Sequence, residues 1–144
     1  TWVVTAGYLQ RAIDHGEDLN LHPVYVEKCA RALESIADTL PRAKKIGVKR
    51  AAGSDFLGTP ADPHGEEGFE LEMQVRCGLT EMEAIVAATK LNAEFFGLNT
   101  GTVEKGKLAD LILVDGDPLK NIKVFQDVKN IKLVMLEGEV KVRR

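Results

Sequence analysis

The residues that could do chemistry are concentrated in one stretch, "AAGSDFLGTPADPHG", at positions 51–65. A run of small apolar residues ends at Gly53, and the carboxylate of Asp55 follows directly after it. A carboxylate just past the carboxyl end of a parallel strand can bind a divalent cation and accept a proton from metal-bound water. The alternative is structural, because an aspartate after a glycine often caps a helix or forms an Asx turn. A phosphoacceptor aspartate would need an acidic pair near the preceding strand, which the sequence lacks.

The histidines offer further candidate site residues. His64 lies in the loop after Asp55 and is expected to overhang the same site, where it could contact the carboxylate of a substrate. The structural alternatives for His64 are to cap the next helix or to face solvent. His15 and His22 flank the loop "GEDLNL" and are expected to be surface histidines, with a place on the rim of the pocket as the alternative.

Alternating strands and helices must position these residues. Residues 2–5 and 48–53 are rich in strand-forming types, and each run is followed by a helical pattern. Pro23 predicts the first turn of a helix, Thr39 with Pro41 predicts a separate further turn, and Lys44 to Gly47 predicts its end. This order of elements predicts an α/β fold with parallel strands and helical crossovers.

Two more helices are predicted before residue 98. One has Phe69, Met73 and Cys77 on a common face, and the run Glu70-Leu71-Glu72 on it is expected to be a solvated surface. The next begins at a capping box formed by Thr80 and Glu83 and ends at Gly97.

The composition of the chain changes near residue 99. Glycines punctuate the remainder, an apolar strand is predicted over 108–114, and a hairpin is predicted with its turn at Glu137-Gly138. The run Asp115-Gly116-Asp117-Pro118 predicts a turn, since the later ligands of an EF-hand calcium loop are missing. Residues 1–98 and 99–144 are therefore expected to be two units, each incomplete, as in a fragment of a longer protein.

Composition narrows the classes of function. The chain has 144 residues and a formal net charge of −3 without a basic patch, so no nucleic-acid partner is expected. No apolar run is long enough for a membrane span and no signal peptide is seen, so a cytoplasmic protein without a membrane partner is expected. Cys29 and Cys77 are expected to be small buried side chains rather than metal ligands.

Three segments together resemble the metal-dependent amidohydrolase superfamily. They are "AAGSDFLG", "HGEEGFELEMQVRCGLTEMEAIVAATKLNAEFFGL" and "GTVEKGKLADLILVDGDPLKNI". They are similar to the C-terminal part of the imidazolonepropionase-like branch, which includes Xaa-Pro dipeptidases (prolidases) and related carboxypeptidases. The resemblance implies the last portion of a (β/α)8 TIM barrel, with strands seven and eight and their helices, followed by the C-terminal strands of a small β-sandwich.

The resemblance also implies a chemistry. Asp55 would be the strand-eight aspartate, which binds a divalent metal ion and shuttles the proton of the attacking hydroxide. The complete protein would hold one or two such ions, expected to be zinc. The implied reaction is hydrolysis of a peptide or amide C–N bond, with a dipeptide or other small molecule as substrate and His64 as a substrate contact.

The chain departs from this family by lacking most of the implied site. The other metal ligands of the family are an HxH pair, a carboxylated lysine or a glutamate, and two further histidines, and the spacing of His15, His22 and His64 matches none of them. Roughly six of eight barrel strands are also missing. The chain alone is therefore expected to be inactive. The alternative is a non-catalytic binding or self-associating module, in which open strand edges could support a homo-oligomer.

Overall fold

Two small sheets organise the chain in the computed structural model, which describes residues 1–59 and 63–144. Strands β1 (Trp2–Val4) and β2 (Lys49–Ala51) are parallel, with Val3 opposite Arg50. Strands β3 (Leu111–Val114), β4 (Ile131–Leu136) and β5 (Glu139–Arg143) form an antiparallel sheet in that order. The predicted mixed α/β architecture and the parallel strand pair are confirmed.

Two helices cross over from β1 to β2. Helix α1 spans Tyr8–Asp14 and helix α2 spans Pro23–Lys45, where the His22 side chain caps the amino end of α2 by accepting from the Val24 amide. The predicted start at Pro23 is confirmed, but the predicted break before Pro41 is wrong, because Pro41 lies inside α2. A proline removes only one hydrogen bond, so packing of the 23-residue helix can offset this local loss.

The helices after β2 follow the sequence pattern closely. Helix α3 spans Gly68–Arg76, and α4 (Glu81–Val86) continues through a π-helical segment (Ala87–Leu91) into α5 (Asn92–Phe96). The capping box is confirmed, since the Thr80 hydroxyl accepts from the Glu83 amide and the Glu83 carboxylate accepts from the Thr80 amide. Gly97 ends α5 with φ 68°, a left-handed conformation that favours glycine.

Strand β2 is shorter than predicted, and this correction bears on the site. The prediction of a strand over 48–53 is wrong at its carboxyl end, since β2 stops at Ala51. The reason is a side chain: the backbone N–H of Ala52 donates to Asn92 Oδ1 (2.9 Å), and the Asn92 amide donates back to the Ala52 carbonyl (3.0 Å). Asn92 thus takes the place of a neighbouring strand for one residue.

The antiparallel sheet consists of the hairpin β4–β5 and the preceding strand β3. β4 and β5 are joined by the predicted turn, where Glu137 and Gly138 have φ values of 51° and 84°. Two 3-10 turns (Ile122–Gln126 and Val128–Asn130) connect β3 to β4, and Ile122 and Val124 are buried there. In residues 1–59 and 63–144, no helix has both the length and the apolar character needed to span a membrane.

Candidate functional site

Asp55 occupies a strained position beyond the carboxyl end of β2. Its side chain is exposed, and its backbone has φ 56°, in the left-handed region that only a few per cent of non-glycine residues adopt. Such a conformation persists only when the surrounding structure imposes it, and strained residues of this kind concentrate at functional sites.

The backbone around Asp55 is held from two sides. The Tyr8 amide, at the start of α1, donates to the Ser54 carbonyl over 2.8 Å. On the other side, Asn92 makes its two hydrogen bonds with Ala52. The segment from Ala52 to Asp55 is therefore fixed by α1 and α5 together, which places the Asp55 carboxylate on a rigid support.

A cluster of two aromatic rings and a guanidinium group packs against the loop that follows Asp55. Phe56 is buried and stacks on Phe69 of α3, with ring centroids 6.4 Å apart. The Arg11 guanidinium lies 4.6 Å from the Phe69 ring centroid and 5.5 Å from that of Phe56, and it forms an ion pair with Glu66. Cation–π contacts and the ion pair thus join α1, the loop and the start of α3.

A cleft of about 570 Å³ opens beside this cluster. His15 lines it and contacts Asp18, with 3.2 Å between Nδ1 and Oδ2. The lining is rich in charged and polar groups, which suits a polar ligand better than an apolar one. The described residues that line it are Arg11, His15, Asp18, Leu19, Thr59, Pro63 and Glu66.

His64 lies at the surface of the described part of the loop. Its side chain is 72% exposed, its Nδ1 atom is 3.6 Å from Glu67 Oε1, and its ring approaches Gly58. The N-cap residue of α3 is Glu67, so the capping alternative for His64 is wrong, and its exposed ring agrees with the solvent-facing alternative. A role in substrate contact stays a prediction.

Glu70 is the residue that the sequence interpretation missed. The run Glu70-Leu71-Glu72 was expected to be a solvated surface, but Glu70 is only 3% exposed, so that expectation is wrong for Glu70. The Thr5 hydroxyl donates to Glu70 Oε1, and the Gln74 amide donates to the same oxygen over 2.9 Å. The helical spacing could have revealed it, because Glu70 lies three and seven residues before the buried Met73 and Cys77.

Burial raises the pKa of Glu70 to about 7. Hydrogen bonds from Thr5 and Gln74, and the nearby backbone N–H groups of Gly7 and Gly53, oppose this rise without cancelling it. Among the described residues, Oε2 has no hydrogen-bond partner of good geometry, so those two amides act on it mainly as nearby dipoles. A carboxyl group with this pKa changes charge near neutral pH.

A larger cavity of about 830 Å³ borders Glu70 and the loop. Gly53, Ser54 and Glu70 form one wall, and the apolar side chains of Ile112, Val114 and Ile131 form another. The cavity therefore separates the carboxyl end of β2 from the antiparallel sheet.

The described residues do not by themselves fit a metal centre. Within residues 1–59 and 63–144, no group of three His, Cys, Asp or Glu side chains is close enough together to hold an ion. The backbone bends at Asp115-Gly116 and forms a turn at residues 118–120, as the sequence predicted. Asp55 could supply one carboxylate ligand of a site whose other ligands are outside the described residues.

Several known proteins are similar to this chain in sequence and in fold. Ochratoxinase from Aspergillus niger is 36% identical over 112 residues, which are 75% of this chain and 23% of that protein. A prolidase complexed with N-methylphosphonate-L-proline has a TM-score of 0.87 at 27% identity, covering 100% of this chain and 35% of that one. A Xaa-Pro dipeptidase with bound methionine has a TM-score of 0.77 at 30% identity, covering 97% and 34%.

The chain thus spans about a quarter of the length of the curated relatives it matches and about a third of the solved ones. Its structural neighbours include prolidase-like amidohydrolases, as the sequence resemblance implied. The family model of the amidohydrolases matches residues 6–141. Since that match covers nearly every residue, the chain belongs to the Amidohydrolase family.

Proposed function

We propose that this chain is the C-terminal part of an enzyme that hydrolyses a peptide or amide C–N bond with activated water. The observation that carries the proposal is the Asp55 carboxylate, exposed beyond the carboxyl end of a parallel strand on a strained and rigidly held backbone. The carboxyl ends of parallel strands are where α/β folds place their ligand sites.

The proposed parent fold is a (β/α)8 barrel. β1 and β2 would be its strands seven and eight, residues 1–98 its C-terminal portion, and residues 99–144 a share of a small β-sandwich. The parallel pairing of β1 with β2 and the antiparallel order β3-β4-β5 support this division.

The role proposed for Asp55 is that of a base and a metal ligand. Its carboxylate would accept a proton from the attacking water as oxygen bonds to the carbonyl carbon, and return that proton to the nitrogen as the C–N bond breaks. Members of this family generally use divalent metal ions. We propose zinc, with Asp55 as one ligand and the others supplied by residues outside this chain's described part.

The proposed substrate is a Xaa-Pro dipeptide or a peptide with a free C-terminal carboxylate. The prolidase and the Xaa-Pro dipeptidase among the structural neighbours support this choice. His64 is the proposed contact for that carboxylate, because its exposed ring stands in the loop after Asp55.

The chain alone is proposed to be inactive, since its described residues hold no complete metal site. The alternative is a self-associating module. It is favoured by the exposed apolar side chains of β3, where Ile112 and Leu113 are 53% and 59% exposed. Gel filtration of the isolated chain tests this alternative, because a monomer at micromolar concentration would argue against self-association as the function.

The test of the proposed function compares two matched aspartate variants of the protein that contains this chain. Hydrolysis of a panel of Xaa-Pro dipeptides is measured for the unsubstituted protein, Asp55→Asn, and Asp38→Asn on the exposed surface of α2. Loss of a base that also binds metal should lower kcat by at least about 100-fold in Asp55→Asn and leave Asp38→Asn unchanged. Full activity in Asp55→Asn would refute the assigned role.

A further inference from the structure

The carboxyl ends of the two parallel strands meet at one buried side chain. Thr5 directly follows β1 and donates its hydroxyl hydrogen to Glu70 Oε1. Gly53 lies two residues after β2, and its backbone N–H, like that of Gly7, faces the same carboxyl group. Glu70 on α3 therefore lies against the point where both strands turn into their loops.

The two glycines at the strand ends have little room for a side chain of their own. A Cβ atom added at Gly7 would lie 2.9 Å from Glu70 Oε2, and one added at Gly53 would lie 3.0 Å from a Val4 methyl carbon. Glu70 therefore contacts the end of β1 through the Thr5 side chain and lies against glycine backbone at Gly7 and Gly53. This close contact between glycine backbone and a buried carboxyl group is expected where that group positions the backbone.

Stability alone does not account for a carboxyl group at this position. Glu70 is 3% exposed and Oε2 lacks a partner of good geometry among the described residues. Burying an ionisable group with an unmet acceptor is unfavourable, and an apolar side chain of the same size would remove that penalty. What an apolar residue would lose is the Oε1 acceptor for Thr5 and Gln74, whereas the direct hydrogen bond from the Gln74 amide to the Thr5 hydroxyl oxygen (2.9 Å) would remain.

We propose that Glu70 is a positioning residue that holds the carboxyl ends of β1 and β2 together and so fixes the loop backbone that presents Asp55. This inference rests on the proposed function for the role of Asp55. Asn92 fixes the same backbone at Ala52, so Glu70 and Asn92 hold it from α3 and α5 respectively.

The first test uses a matched pair of substitutions at Thr5, because removing Glu70 could disturb folding. Thr5→Val keeps the shape but loses the hydroxyl, which donates to Glu70 Oε1 and accepts from the Gln74 amide, whereas Thr5→Ser keeps both hydrogen bonds. In the protein that contains this chain, we expect kcat for a Xaa-Pro dipeptide to fall roughly tenfold in Thr5→Val, with KM unchanged, and to stay near the unsubstituted value in Thr5→Ser. Equal kcat values per folded protein in both variants would overturn the proposal.

The second test reads the backbone directly and does not need activity. Amide hydrogen exchange is followed for residues 52–56, with residues 131–143 of the hairpin as an internal reference. Exchange at 52–56 should rise roughly tenfold in Thr5→Val and in Glu70→Met, which keeps the size but loses the acceptor, and stay unchanged in Glu72→Gln, with no change in the hairpin. Unchanged exchange at 52–56 in both variants would overturn the proposal.

The two readouts separate this inference from the proposed function. If the unsubstituted protein hydrolyses no peptide or amide, the proposed function fails and exchange alone decides the positioning role. If it is active and Asp55→Asn is inactive, while Thr5→Val keeps both normal kcat and normal exchange, the function stands and the role of Glu70 falls.

Discussion

The buried carboxyl group of Glu70 should make the protein less stable as the pH rises toward neutrality. Burial raises its pKa to about 7 from an ordinary value of 4.5. Between these values the folded chain keeps a proton that the unfolded chain has released. Because the folded state then binds more protons, the free energy of unfolding falls with rising pH across this window and not below it.

The size of the effect follows from the two pKa values. Their separation corresponds to about 3 kcal/mol, of which about 2 kcal/mol should be lost between pH 5 and pH 8. Glu70→Gln has no charge to bury, so it lacks this loss. We therefore expect the free energy of unfolding of the variant to gain about 2 kcal/mol relative to the unsubstituted chain between pH 5 and pH 8.

Urea unfolding at a series of pH values measures this difference. Glu72→Gln is the matched control, because Glu72 lies two residues along the same helix and has a lowered pKa, with Lys123 and Gln126 as its partners. Its effect on stability is confined to pH values below its ordinary pKa of 4.5, so its difference curve should be flat from pH 5 to pH 8. A flat curve for Glu70→Gln as well would refute the reasoning from burial.

Two further substitutions test the contacts that position the loop and α3. Asn92→Ala removes both hydrogen bonds to Ala52 and should lower the free energy of unfolding by about 1–3 kcal/mol in urea titrations, whereas Asn99→Ala, at the surface, should cost less. Gly68→Ala would place a Cβ atom 2.5 Å from the Phe125 carbonyl oxygen and should lower Tm through a loss of about 1–3 kcal/mol. A Tm equal to that of the unsubstituted protein would contradict the close approach of α3 to the 3-10 turn.

Features of this fold that depend on a few neighbouring residues could be predicted from the sequence. The Thr80–Glu83 capping box, the Pro23 start of α2 and the Glu137-Gly138 turn are each determined by local backbone chemistry. Such signals do not depend on the rest of the chain, and the structure contains all three.

Features that depend on distant residues could not be read in the same way. Pro41 stays within α2 because packing along the whole helix offsets one lost hydrogen bond. Strand β2 ends at Ala51 because Asn92, forty residues later, binds the next backbone groups. The candidate site was predicted at Asp55, but its left-handed backbone and the buried Glu70 depend on contacts that sequence spacing alone does not specify.

Two unfavourable features lie beside the same loop. Asp55 adopts a backbone conformation that glycine would adopt without strain, and Glu70 is buried where an apolar side chain would avoid a desolvation penalty. Each lowers stability, and a loop with only a structural task would have no use for either. Their placement at the carboxyl ends of β1 and β2, where ligands bind in α/β folds, is the arrangement expected when stability is given up for a fixed carboxylate.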